Sequence, residues 1–527
     1  ELIRSGLVIE PGKQFTDITT GKRCYFRSIA TIDLSEPIDN KFFKGKSIDE
    51  YHSKHLPSDT ENVRAVNVAY KEIDELGKFS HHPELLVEIC DPSSIPNSHS
   101  NKFRPHQYLN IQSRMEHARL IRDNVNFSTS ICEISEFLCT PEELGIKAEN
   151  YSKGRKNLLF GNDTKSSHNA RDIFHAFNRA GAVKKLSSVK IGFLPCKSGS
   201  TSWEKMCKKL RSDLEINSEE STFESLKHWD PSVRVSRSKA LDFANFDLLV
   251  IEIPEIDKEY ENWKRACAHA GVEVQIVTSG KVPDHFSWLN ITFGILGKLG
   301  GAAFKVTGQK SSVDAWIGLD VSRRNGINMG ASSIVTNSEG SPVGWLDQIP
   351  MNREKFEDHE LRKIIRDTHS GYENSSGHKP DHICILRDGQ WFAGDRAIKE
   401  LEAELEVKIT VVSVIKTGNF RCGTREDGII GTPEQGLALF DADGKGYIQA
   451  TTPRNGSPKL FGAVIEYGDI NPDDLFHDLY WLTNSHIGST MQVGVPTPVH
   501  FAHTISNMFR RNLLRNPDGF STNLSFL

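Results

Sequence analysis

The sequence predicts a multidomain α/β protein, and three observations carry that expectation. Its 527 residues exceed what one hydrophobic core organises, so the chain should divide into several domains. From residue 189 onward, strand-like and helix-like stretches alternate, the pattern of parallel sheets covered by helices. Within that part, two apolar strands each run into an aspartate: Ala315-Trp316-Ile317-Gly318-Leu319-Asp320 and His382-Ile383-Cys384-Ile385-Leu386-Arg387-Asp388.

Charged residues make up 25% of the chain and apolar ones 37%, an ordinary globular balance. The net charge of −5 excludes a uniformly basic nucleic-acid binder, so a polyanion would have to be held in a local positive channel. The nine cysteines are odd in number and include no C-x-x-C pair. They suggest neither a zinc ribbon nor a disulfide framework, and fit a reducing, cytoplasmic setting. No run approaches the ~18 apolar residues of a membrane span. No signal-peptide pattern opens the chain, which begins at Glu1.

Residues 1–155 read as an α+β region. Short strand runs at 7–9, 27–32 and 84–89 alternate with polar loops, notably 92–106, and helical spacing appears at 111–121 and 131–138. Leu158–Asn162 reads as a strand stopped by Gly161. The stretch 170–182 follows as an amphipathic helix, with Ile173, Phe174, Phe177 and Ala180 on one face.

Strands are then expected at 189–194, 246–253, 272–278 and 302–306, with helices at 203–214, 258–270 and 286–299. This Rossmann-like alternation carries no G-x-G-x-x-G, so a dinucleotide enzyme loses its main support. A basic stretch runs through it: Lys184, Lys185, Lys190, Lys197, Lys205, Lys208, Lys209 and Arg211. It fits a solvated face as well as a polyanion channel.

After residue 305, helices are expected at 358–368, 394–405, 472–483 and 500–514, and hairpins across 418–447. Asp441-Ala442-Asp443-Gly444-Lys445-Gly446 imitates an EF-hand loop, but Lys445 and Thr452 stand where oxygen ligands are required, so it reads as a hairpin turn.

The acid-ending strands carry the chemistry. An aspartate in an apolar strand is costly to bury unless something cationic holds it. One such residue also fits an edge strand facing water; a second suggests a site. Two carboxylates delivered by strands of one sheet suit a two-metal phosphodiester nuclease. Hard oxygen ligands favour Mg2+ or Mn2+, and the ions activate water and stabilise the leaving oxygen.

The segments GLDVSR (318–323), ILRDG (385–389) and PTPVHFAH (496–503) together resemble the PIWI domain of Argonaute proteins, over roughly residues 190–527. The resemblance implies a ribonuclease H-like fold with an Asp-Glu-Asp-His tetrad. Asp320 and Asp388 would be its strand acids and His503 its histidine, with His500 the nearby alternative. The remaining acid would come from a mobile loop, Glu354 first and Glu357 second. It also implies a division into an N-terminal region with linker (1–155), a second linker (156–188), a Rossmann-like MID domain (189–305) and the PIWI domain (306–527).

A second set lies in the would-be MID domain. Tyr260 and Lys264, four residues apart, share a helix face; Gln275 follows on the next strand and Lys298 ends the next helix. Alone, these are a surface pair and a helix-end cation favoured by the dipole. The resemblance makes them a Tyr-Lys-Gln-Lys pocket for a guide's 5′-phosphate, the tyrosine stacking on the first base. Some relatives carry a further lysine where this chain has Gly294. A third divalent ion at the 5′-phosphate, joined by the terminal carboxylate of Leu527, would compensate.

The implied function is a guide-directed endonuclease. A short 5′-phosphorylated guide, DNA favoured over RNA, selects a complementary target, DNA favoured again, and two divalent cations support its cleavage in defence against foreign DNA. The alternative is a non-cleaving guide-binding module acting through a partner protein. An unguided ribonuclease H-like nuclease would leave the Tyr-Lys-Gln-Lys set unexplained. Residues 1–188 are too few for a complete PAZ domain beside an N domain and two linkers, so a full PAZ domain is expected to be missing from this sequence.

Overall fold

A computed structural model describes residues 140–527 apart from short internal segments: 154–155, 198–201, 234, 255–256, 279–284, 325–326, 350–356, 393, 417–419, 427–428, 454–456 and 516–518. Before 140 it describes 14–17, 23–30, 34–38, 44–52, 65–69, 79–81, 86–87, 111–114 and 116. The chain separates into a unit over 1–108 and a unit over 109–527.

The first unit contains a five-stranded antiparallel sheet in the order 79–81, 66–69, 23–29, 14–17, 86–87. Phe15, Cys24, Phe26, Val66 and Val68 form its buried core. The strand expected at 7–9, the loop at 92–106 and the helix at 131–138 lie outside the described residues. Of the helix expected at 111–121, residues 111–114 and 116 are described and helical.

In the second unit a parallel sheet runs in the order 218–225, 186–194, 248–253, 273–278. Strand Leu248–Ile253 is buried at every position, which explains an apolar run broken only by Glu252. Helices Trp203–Ile216 and Asp257–Ala270 lie between successive strands, and His285–Lys298 follows the last. Strand Ser218–Ser225 was not legible: it lies at the sheet edge and its largely polar run shows no apolar alternation. The strand expected at 302–306 does not join this sheet. Lys305–Val306 pairs instead with Leu158–Leu159, which pairs with Lys165–Ser166.

A nine-stranded mixed sheet follows, in the order 342–349, 327–337, 315–324, 382–388, 408–415, 461–467, 445–448, 437–440, 147–150. Strand Lys147–Asn150, assigned from sequence to the N-terminal region, closes the far edge by pairing with Leu437–Phe440. The acid-bearing strand Ala315–Arg324 runs parallel to His382–Asp388, itself parallel to Lys408–Ile415. Pairing of Ala315 with Ile383 through Leu319 with Arg387 brings Asp320 abreast of Asp388. The hairpins expected across 418–447 are 424–426 with 429–431 and 437–440 with 445–448. In the EF-hand-like loop, Asp441 Oδ1 accepts from the amides of Asp443 and Lys445, closing a turn.

Helix Thr497–Arg510 packs on strand 315–324 with its first turn against Gly318. A Cβ at Gly318 would lie 2.1 Å from the Pro498 carbonyl oxygen, so only glycine lets the helix seat there. Gly318→Ala should therefore destabilise this unit by about 1–3 kcal/mol. A thermal unfolding midpoint equal to that of the unmodified chain would contradict the packing argument.

Candidate functional site

The strand register sets two carboxylates side by side, and the seated helix adds a histidine. One ligand atom from each of Asp320, Asp388 and His503 lies within 4.8 Å of the others. His503 Nδ1 is 3.0 Å from Asp320 Oδ2 and 3.7 Å from Asp388 Oδ2. One turn further on, the Asn507 amide lies 2.8 Å from His503 Nε2. If it donates there, the proton sits on Nδ1 and both contacts are satisfied. The Val321 amide donates to Asp320 Oδ1 at 2.9 Å, fixing that carboxylate.

The two acids are driven apart electrostatically. Burial alone would raise the Asp320 pKa, but the His503 hydrogen bond, with the charges of His503, Lys416 and Arg387, outweighs it and holds the carboxyl below its usual range. Burial pushes Asp388 up; the Asp320 charge adds to this while Lys416 and His503 oppose it. Like charges at this separation resist ionising together, which is the condition a divalent cation relieves.

Three neighbours were missed from sequence. Lys416 Nζ stands 2.6 Å from Asp388 Oδ2. Asn507 braces His503, and Arg387 is buried with its guanidinium donating to the Asp388 carbonyl oxygen. Asn507 was detectable four residues after His503 on one helix face. Lys416 was not, because only the register with strand 382–388 brings it to Asp388.

His500, the alternative histidine, packs its ring 5.3 Å from that of His486. Burial and the charges of Lys416 and His503 lower its pKa to about 4. Glu354 lies outside the described residues. Glu357, the second choice, caps helix Asp358–Ser376 in a capping box with Glu360, whose carboxylate accepts from the Glu357 amide at 2.9 Å.

Of the second set, Lys264, Gln275 and Lys298 come together. Lys264 and Lys298 are 5% and 4% exposed, so their ammonium groups need partners. Lys298 Nζ donates to Gln275 Oε1 at 2.6 Å, and Lys264 Nζ donates to the Ser525 carbonyl oxygen at 3.3 Å and to an oxygen of Leu527 at 3.5 Å. Burial lowers both lysine pKa values, Glu273 opposing; for Lys298 the Lys264 charge adds to the depression. A Cβ at Gly294 would sit 3.3 Å from Gln275 Oε1 and 4.0 Å from Lys298 Nζ, so the lysine-less position opens on this cluster. Leu527 packs against Gly297 on the same helix. Tyr260 is half-buried, packed on the core beneath the parallel sheet. A cavity of about 250 Å³ flanks Lys264 and Glu273, with Trp345, Arg515, Asn523 and Ser525 among its walls.

Four of the eight residues of the basic stretch have local partners. Lys190, Lys197 and Lys209 pair with Glu224, Asp230 and Asp213, and Arg211 stacks on Phe193 while donating to Ser225.

The family model for the Piwi domain matches residues 248–514, just over half of the chain. The chain belongs to the Piwi family, among the prokaryotic Argonautes. It is 24% identical over 286 residues to the argonaute of Aquifex aeolicus, a match covering 51% of this chain and 39% of that protein. It is 24% identical over 254 residues to the argonaute of Synechococcus elongatus, covering 46% and 35%. These matches therefore span little more than a third of either relative. Among solved structures, Clostridium butyricum Argonaute bound to a guide DNA and a 19-mer target DNA superposes with a TM-score of 0.72 at 17% identity, covering 100% of this chain and 76% of that one. The A. aeolicus Argonaute crystal structure gives 0.59 at 16% identity, covering 100% and 75%. The mixed sheet with its acid-bearing strands is thus the ribonuclease H-like sheet of a Piwi fold, inside an α/β multidomain chain. Among the described residues no helix is long and apolar enough to cross a membrane.

Proposed function

We propose that this Piwi protein is a guide-directed endonuclease: it holds a short 5′-phosphorylated guide strand, DNA by preference, and cuts the paired target strand. The observation that carries the reading is the convergence of Asp320, Asp388 and His503 at the carboxyl edge of parallel strands. The DNA guide and target of the Clostridium butyricum protein support DNA for both strands. The non-cleaving alternative, in which tetrad positions are lost, is disfavoured by these three assembled side chains.

Two carboxylates and one imidazole form a mixed oxygen and nitrogen donor set that fits Mg2+ or Mn2+. Asp320 and Asp388, with His503 once its Nδ1 proton is released, would hold the ions. Such ions lower the pKa of a bound water and stabilise the leaving oxygen. The chain's own groups do the positioning: Val321 N–H fixes Asp320, Asn507 orients His503, and the buried strands hold both acids rigid. Lys264 and Lys298 anchor the guide's terminal phosphate, and Tyr260 stacks on its first base. Base pairing then selects the target, so the channel needs to read only backbone.

Glu354 is proposed as the remaining acid. Glu357 already closes the first turn of its helix, which favours Glu354. Glu354→Gln should lower the single-turnover cleavage rate severely and leave target affinity nearly unchanged. Full activity in Glu354→Gln with a dead Glu357→Gln would transfer the role to Glu357. The reading as a whole is tested by incubating purified protein with a 5′-phosphorylated guide, a matched target and Mn2+. One cut in the matched target and none in a mismatched one is expected; no guide-dependent product would overturn it.

A further inference from the structure

The acid pair already carries a cation of its own. Lys416 Nζ lies 2.6 Å from Asp388 Oδ2, the same oxygen that faces His503 Nδ1 at 3.7 Å. The contact is sheltered, the two side chains being 24% and 15% exposed. It follows from the sheet register: Val414 lies opposite Asp388 on the parallel strand 408–415, and residue 416 is two positions further, on the same side. Arg387, whose charge also acts on Asp320, donates to the Asp388 carbonyl oxygen.

Two carboxylates abreast repel each other, and one ammonium offsets much of that repulsion. A divalent ion needs the same oxygen and repels the same ammonium. The two cations therefore compete. Lysine suits the exchange because its charge is compact and its four-carbon stem flexible, so it can leave Asp388 for another anion nearby.

We propose that Lys416 is a gating residue for metal loading: it holds the acid pair together in the free protein and yields Asp388 when a nucleic-acid phosphate offers it a new partner. This rests on the reading that Asp320, Asp388 and His503 hold divalent ions. Metal and substrate binding then become coupled, each strengthening the other by the same factor. The free protein would hold its ions weakly, which restrains cutting of unguided nucleic acid.

The test is a titration of the full chain with Mn2+ alone, without nucleic acid, following the part of binding that Asp320→Asn removes. Lys416→Met, neutral and of similar length, should bind Mn2+ roughly tenfold tighter or more, the effect of deleting one partly screened like charge. Lys416→Arg, which keeps the charge, should stay near the unmodified protein. Adding a guide–target duplex should tighten Mn2+ binding by about tenfold in the unmodified protein and much less in Lys416→Met, because the coupling runs through the lysine. Thermal melting of each variant in chelator checks folding, and Lys416→Gln serves if Lys416→Met does not fold. Equal or weaker Mn2+ binding by a folded neutral variant would overturn the gate while leaving the metal site standing. Undiminished Mn2+ binding by Asp320→Asn would overturn the metal site, and the gate with it.

Discussion

Asp388→Ala is expected to abolish cleavage of a guide-matched target while leaving guide binding intact. Asp388 is the member of the site through which the others are linked: its Oδ2 faces both Lys416 and His503, and the strand register holds it abreast of Asp320. Truncation leaves Asp320 and His503 as an incomplete donor set, too few to hold two hard cations. It also leaves the Lys416 ammonium half-buried beside a vacated carboxylate, so some loss of stability should accompany the loss of activity. Asp320→Ala should be equally inactive. Guide affinity should not change, because Lys264, Gln275 and Lys298 stand on the separate parallel-sheet region. Cleavage should require Mg2+ or Mn2+ and stop with chelator. Single-turnover cleavage at the unmodified rate by Asp388→Ala would remove this site from the chemistry.

The second large effect is expected at the other cluster. Lys264 and Lys298 are buried cations that donate to the Gln275 side-chain oxygen, the Ser525 carbonyl and an oxygen of Leu527, with the Glu273 charge acting on both. A terminal phosphate would bring further negative charge to these two ammonium groups, and each charge-assisted contact should contribute about 1.5–3 kcal/mol. Lys298→Ala or Lys264→Ala should therefore weaken a 5′-phosphorylated guide by roughly 10–150-fold, at about 1.4 kcal/mol per decade. A 5′-hydroxyl strand should lose far less. Because burial depresses both lysine pKa values, phosphate binding should also draw protons onto them, and the phosphate preference should decline as pH rises. Tyr260→Ala should weaken both strands alike, since stacking reads the base and not the phosphate. All comparisons belong at one salt concentration. Equal losses for phosphate and hydroxyl strands in Lys298→Ala would make these lysines part of a general channel and favour an unguided or 5′-hydroxyl-guided enzyme.

Period and spacing made much of this visible beforehand. The strand through Ile317 and Leu319 alternates as strands do, and Asp320 was conspicuous because a carboxylate in such a run needs a cation. Tyr260 and Lys264 share a helix face by spacing alone. What escaped did so for identifiable reasons. Strand 218–225 is largely polar because it is a sheet edge, so no burial pattern marked it. Strand 147–150 is polar and far in sequence from its partner at 437–440, and local pattern carries no information about a pairing that distant.

The sequence by itself determined which residue types end the strands and occupy the helix faces, since these follow from local periodicity and from the cost of placing charge among apolar neighbours. Only the tertiary structure decided what those residues meet. Asp320 and Asp388 face each other because two parallel strands take one register out of several. His503 reaches them because a bare glycine lets its helix settle on the central strand. Lys416 joins them because it follows directly on strand 408–415, two positions past the residue level with Asp388. Register and close packing are set by the whole buried surface at once, and no local stretch encodes them.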